Sequence, residues 1–218
     1  MARMSPGERK EAIVDAALAV ALRKGLGATT VRDVAAEMGT SSGLIHHYFD
    51  SMDDVLASAF DRAASQDLAG VEQAMEREQT AVGKLRAFFD NYSIADNEWA
   101  FQLWLDAWSE ATRRPALAAT SERLNVAWQQ LLAATIKDGR FDCDDPDATA
   151  WRIISLLDGL SLQVIAHSSI LSRATVTEWI SAYAESELGL RPGSLAPRGA
   201  IRARSGLESG GDGKSLGT

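Results

Sequence analysis

Apolar residues recur at helical spacing over most of the chain, and no stretch alternates strictly as a half-buried strand would. Ile13, Ala16, Ala17, Val20 and Ala21 share one face of a first helix that should stop near Gly25. Its start is written in Ser5-Pro6-Gly7-Glu8: Ser5 can cap, Pro6 carries the preset φ of a first turn, and Glu8 can close a capping box. Thr30 caps a short second helix, with Asp33 in the box position and Gly39 at its end. Ser41 or Ser42 opens a third, running from Gly43 to Phe49. Ser51 caps a long fourth, with Asp53 and Asp54 at the positive end of its dipole.

Beyond residue 55 the spacing predicts a helix to about Gln79, then others over about 81–95, 97–113 and from Pro115 to about Asp138. Asp145-Pro146 opens a strongly apolar helix ending near Ser168, and a box of Thr175 with Glu178 starts the last, which Gly189 ends. The Gly-, Ser-, Pro- and Arg-rich residues 191–218 read as a disordered tail. The fold class is therefore all-α, about nine helices: a three-helix helix-turn-helix unit over 1–50 and a larger helical unit over 51–190.

Charge adds a second division. The net charge is −8, yet residues 1–50 hold six basic and six acidic side chains. Residues 51–188 hold 11 basic against 22 acidic, and residues 189–218 five against two. The acidity sits in the middle block as a solvated surface, and the first 50 residues remain able to approach phosphate. Cys143 is the single cysteine, so no internal disulfide or cysteine metal cluster is available. No run reaches a membrane-spanning length, and Met1 to Ser5 lead into a charged helix without a signal-peptide core. These features point to a cytoplasmic protein without a membrane partner.

The unit from Thr30 to Phe49 can place its second helix in a DNA major groove. Thr40, Ser41 and Ser42 crowd the start of that helix with hydroxyls, and Gly43 permits a close backbone approach. His46, His47 and Tyr48 add polar groups with ring faces, while Val34, Ala35, Met38, Leu44 or Ile45, and Phe49 supply a small core.

The run Thr29-Thr30-Val31-Arg32-Asp33-Val34-Ala35, followed by Met38-Gly39-Thr40-Ser41-Ser42-Gly43-Leu44-Ile45-His46-His47-Tyr48-Phe49, resembles the headpiece of the TetR family. Asp50 to Leu56 resembles that family's entry into its fourth helix. Trp104-Leu105-Asp106-Ala107-Trp108, Pro115-Ala116-Leu117 and Leu157-Asp158-Gly159-Leu160 are similar to the BetI-like branch, which includes the choline-responsive repressor of betaine synthesis. The resemblance implies a homodimeric repressor on a palindromic double-stranded DNA operator, released by a small-molecule inducer, with no cofactor.

By matching position, Thr30, Arg32, Thr40, Ser41, Ser42, Gly43, Leu44, His46, His47 and Tyr48 would serve DNA binding: Thr30 and Tyr48 on phosphates, Leu44, His46 and His47 in the groove. Many members carry lysines where this chain has Asp50, Met52 and Ser42, so its salt dependence should be shallow.

All six tryptophans lie after residue 98. Trp104 and Trp108 share a helix face with Phe101, and Phe88 pairs with Tyr92 on the preceding helix. Such walls suit an apolar ligand or a quaternary ammonium held by cation–π attraction, with Asp106, Glu110 or Asp158 supplying negative charge. Core or interface filling is the other reading of each tryptophan, and a hydrogen-bonded structural carboxylate the other reading of Asp158. The last two helices, about 146–168 and 175–188, read as the dimer seam.

An enzyme finds no support. Gly159-Leu160-Ser161-Leu162-Gln163 lacks the closing Gly and preceding strand of a nucleophile elbow. Asp142, Asp144, Asp145 and Asp147 lack the Gly and Glu of a calcium loop, and His46 and His47 diverge too far to share a metal. The remaining alternative is a helical protein-interaction module without sequence-specific DNA binding.

Overall fold

The computed structural model describes residues 4–93, 98–167 and 169–196, with the side chains of Tyr92 and Ser93 outside that description. Among the described residues the chain forms nine helices and no strand.

Local chemistry sets the first four. Ser5 and Glu8 form a reciprocal capping box at the start of α1 (Pro6–Lys24), and Gly25 ends it at a positive φ of 86°. Thr30 and Asp33 do the same for α2 (Val31–Glu37). Gly39, at φ 63°, turns the chain into α3 (Ser42–Tyr48), and Ser51 caps α4 (Met52–Glu76). Then follow α5 (Ala81–Ser93), α6 (Glu98–Ala111), α7 (Pro115–Gly139), α8 (Pro146–Ala166) and α9 (Arg173–Glu187). The last begins earlier than the Thr175–Glu178 box predicts. Ser172 caps it by accepting the Thr175 N–H at 3.1 Å, so Thr175 lies inside the first turn.

Three apolar clusters hold these helices together, and α4 contributes to all of them. Val55 and Ala59 join Ile13, Val14, Ala17, Val34, Ile45 and Phe49 in the headpiece core. Leu56 and Phe60 join Leu26, Leu103, Leu117 and Leu124 in a middle cluster. Val71 and Met75 reach a distal cluster built on α5, α7, α8 and α9. Each fully buried Leu or Phe of this kind contributes roughly 1.5–3 kcal/mol. α4 begins just past residue 50, and its first turns complete the headpiece core through Val55 and Ala59.

The described residues 191–196 pack against the distal cluster instead of starting a tail. Leu195 is buried, and the carboxylate of buried Glu185 accepts the N–H groups of Gly193 at 2.9 Å and Leu195 at 2.6 Å. The Arg86 guanidinium adds a third tie, donating to the Ser194 carbonyl at 2.6 Å. Residues 197–218, with Arg198, Arg202 and Arg204, lie outside the described residues.

Candidate functional site

Ile45 decides what α3 presents. It is buried against α1 and α2, and helical spacing then turns Gly43, His46 and His47 outward. Ser41 is exposed and its hydroxyl makes no capping bond, while Thr40, Ser42, Leu44 and Tyr48 are half-buried. The His47 and Tyr48 rings meet edge to face with centroids 5.1 Å apart, which couples the orientation of both. Of the two core candidates, Ile45 packs inside and Leu44 stays at the margin.

Thr30 stands apart from this group. Its hydroxyl donates to Asp33 Oδ2 at 2.6 Å and accepts the Asp33 N–H at 3.3 Å, so it is engaged in capping α2. The Lys24 ammonium, 2.7 Å from Asp33, and the Thr30 bonds hold the Asp33 carboxyl down at about 2. Arg23 is likewise matched by Glu37 at 2.5 Å. Arg32, exposed on α2, has no ion pair among the described residues, and the Lys10 ammonium sits 5.0 Å over the Phe49 ring beside the end of α3. Lys10 was not picked out by sequence because its partner is 39 positions away. It is a cation placed by tertiary packing alone.

The second candidate site lies between α4, α5, α6, α7 and α8. A cavity there is walled by Phe101, Trp104, Trp108 and Trp128, and Asp67 and Asp158 line it with Asn91 and Asn125. The Trp104 and Trp108 rings lie 5.5 Å apart, and Trp104 packs edge-on to Phe60 of α4 at 4.9 Å. Burial without a compensating cation pushes the Asp158 carboxyl up to about 7. Burial also raises Asp67, against a hydrogen bond from Asn91 that lowers it. Carboxyls and tryptophan faces are the groups that attract a soft organic cation, and this cavity places both in one lining.

Of the expected ligand residues, the cavity gathers Phe101, Trp104, Trp108 and Asp158. Phe88 is instead fully buried behind the wall, its ring edge-on to Trp128 at 5.8 Å. The Tyr92 side chain lies outside the described residues. Asp67 on α4, Asn91 on α5, and Asn125 with Trp128 on α7 were missed, since no local spacing links those three helices.

Asp106 and Glu110 do not line this cavity. Asp106 Oδ2 accepts the N–H of Leu26, in the loop between α1 and α2, at 3.1 Å. Glu110 is bound by Arg113 at 2.7 Å and Arg114 at 2.9 Å, which lower its carboxyl, and Arg114 lies 3.7 Å from Asp53 at the start of α4. The loop glycines make this approach possible: a Cβ on Gly27 would stand 2.7 Å from Glu110 Oε1, and one on Gly25 3.0 Å from Asp106 Oδ2. One face of α6 thus lines the cavity while another grips the headpiece.

Comparison with known proteins agrees with both halves. Residues 13–59 match the family described as bacterial regulatory proteins, tetR family, and residues 81–189 match BetI-type transcriptional repressor, C-terminal. The regulator BetI of Rhizobium meliloti is 29% identical over 171 residues, covering 75% of this chain and 81% of its own. A transcriptional regulator from Saccharomonospora viridis, solved in complex with choline, superposes with a TM-score of 0.72 at 26% identity, over 82% of this chain and 96% of its own. The multidrug binding protein EbrR, solved with proflavin, gives a TM-score of 0.60 at 27% identity, over 79% and 97% of the two chains. With its helix-turn-helix headpiece and walled cavity in the matched regions, the chain belongs to the TetR family, in its BetI-type branch, and is a ligand-responsive transcriptional regulator.

Proposed function

We propose that the protein binds a palindromic operator as a homodimer joined through α8 and α9, and that an organic cation in the α6–α8 cavity releases it. In this reading residues 1–50 carry the DNA contacts, residues 51–190 carry ligand binding and dimerisation, and the protein acts in the cytoplasm. Arg32, Thr40, Ser41, Ser42, Gly43, Leu44, His46, His47 and Tyr48 meet DNA, while Thr30 acts through its cap.

The observation that carries the ligand half is that one cavity pairs Asp158 of α8 with Trp104 and Trp108 of α6, the helix whose Asp106 accepts a hydrogen bond from the headpiece loop. The choline found in the related regulator is a cation of the class this cavity suits. Trp151 and Leu162 on α8 and Trp179 on α9 are each about half exposed, and a Cβ on Gly159 would meet nothing within 4 Å. A second copy packed on that face would cover these groups and set two α3 helices on successive major grooves, about 34–36 Å apart. The ligand acts by favouring a conformation in which that spacing is lost.

Selection from randomised duplex DNA with the full chain at fixed salt, with His47→Ala as control, tests the reading. Enrichment of an inverted repeat that the variant loses, and its release by choline, is the expected result. A folded protein that enriches no motif would instead point to a helical interaction module.

A further inference from the structure

The cation cavity does not end at its aromatic walls. A second, narrow cavity adjoins it between α5, α8 and α9, and the two share Phe101, Ser161 and Ile165 in their linings. Their chemistry differs. The first brings Asp67 and Asp158; the second is lined by Phe89, Leu157, Val164, Val176 and Ile180, with no carboxylate. Its one charged group is itself a cation, Arg173, paired with Glu98 at 3.1 Å, and it offers an ammonium no attraction.

We infer that the ligand is an organic cation carrying an apolar arm, its headgroup held between Trp104, Trp108 and Asp158 and its arm inserted past Phe101 into the cavity between α5, α8 and α9. The inference rests on the cation reading above and adds a direction and a length to it. The headgroup takes the compartment with the carboxylates because the other offers none. The arm takes the second compartment because apolar walls there gain nothing from a polar guest. Phe101, Ser161 and Ile165 stand at the passage, so their side chains set how thick an arm can pass.

Titration calorimetry of the full chain with tetramethylammonium, then butyl-, hexyl- and octyl-trimethylammonium below their micellar concentrations, tests it. Each added methylene should tighten binding about fourfold until the second cavity is filled. Val164→Phe, which occupies part of that cavity, should flatten the dependence on chain length. Equal affinity along the series would overturn the arm while leaving the cation reading in place. A gain that persists unchanged in Val164→Phe would overturn its location. Failure of every member to bind to a protein that still holds its operator would overturn the cation reading itself.

Discussion

The carboxylate of Asp106 accepts the backbone N–H of Leu26 at 3.1 Å, joining the sensor helix α6 to the loop between α1 and α2. Trp104 and Trp108, which wall the cavity, lie two residues to either side of Asp106 on the same helix. Two positions on an α-helix are separated by about 200°, so the aromatic and acidic groups face opposite ways. Any rotation or shift of α6 imposed by a ligand therefore moves the anchor of the headpiece.

Asp106→Ala should weaken this coupling. Typical coupling energies of 1–3 kcal/mol correspond to about 5–150-fold in affinity. Operator binding followed by fluorescence anisotropy, with and without saturating ligand, should show that ratio reduced several-fold in the variant. The buried Leu26 N–H is left without its acceptor, so thermal unfolding should show a stability loss of about 1–3 kcal/mol. An unchanged ligand response would mean that α6 passes its signal elsewhere, for example through Phe60 and α4.

Cation affinity should depend on pH through Asp158. Its carboxyl is raised to about 7 by burial alone, so in the free protein it is largely neutral at pH 6 and charged at pH 8. A bound cation favours the charged form, hence binding releases a proton. Choline affinity should be about tenfold weaker at pH 6 than at pH 8, and Asp158→Asn should remove most of that difference. Asp67, raised in the same direction, adds to the trend at the same cavity. Without ligand the sign reverses for stability. The native state binds the extra proton, so stability falls as pH rises from 3.8 towards 7, and Asp158→Asn should melt higher than the parent at pH 8.

Salt dependence separates free from matched cations in the headpiece. Arg32→Ala and Lys10→Ala should each lower the slope of log affinity against log salt by about 0.9 where a phosphate contact is lost. Arg23→Ala should leave it nearly unchanged, since Glu37 already neutralises Arg23 at 2.5 Å. A large effect at Arg23 would show that the Glu37 pair opens on DNA.

Thr30 distinguishes a cap from a phosphate ligand. Thr30→Ala should cost about 1 kcal/mol in stability and weaken operator binding without altering the salt slope, and Thr30→Ser should restore both. A slope reduced by about one would return Thr30 to the DNA backbone.

The features readable from sequence are those governed by short spacing. The Ser5–Glu8 and Thr30–Asp33 boxes form as read, because donor and acceptor are three residues apart. The last helix starts at Ser172 and not at the Thr175–Glu178 box, because a lone serine cap without an acidic residue at its third position leaves a weaker mark in the sequence than a box does. Trp104, Trp108 and Phe101 emerged from i, i+3 and i+4 spacing on α6, and that same arithmetic would have set Asp106 on the far side of the helix. Asp67, Asn91 and Trp128 come from α4, α5 and α7, and only tertiary contact brings them beside Asp158. The anchored stretch 191–196, buried at Leu195, was hidden by its composition, which is otherwise that of a loose terminus.

That short stretch also dictates how the protein can be handled as a component. Glu185 sits inside the distal core with both oxygens committed to the N–H groups of Gly193 and Leu195. A reporter or purification tag grafted after Ala196 leaves those partners in place. The same graft made after Leu190, where helical structure has already stopped, strips a buried carboxylate of its donors and opens the wall that Leu195 closes. A biosensor built from this regulator should therefore keep its splice site six residues beyond the point where the last helix invites a cut.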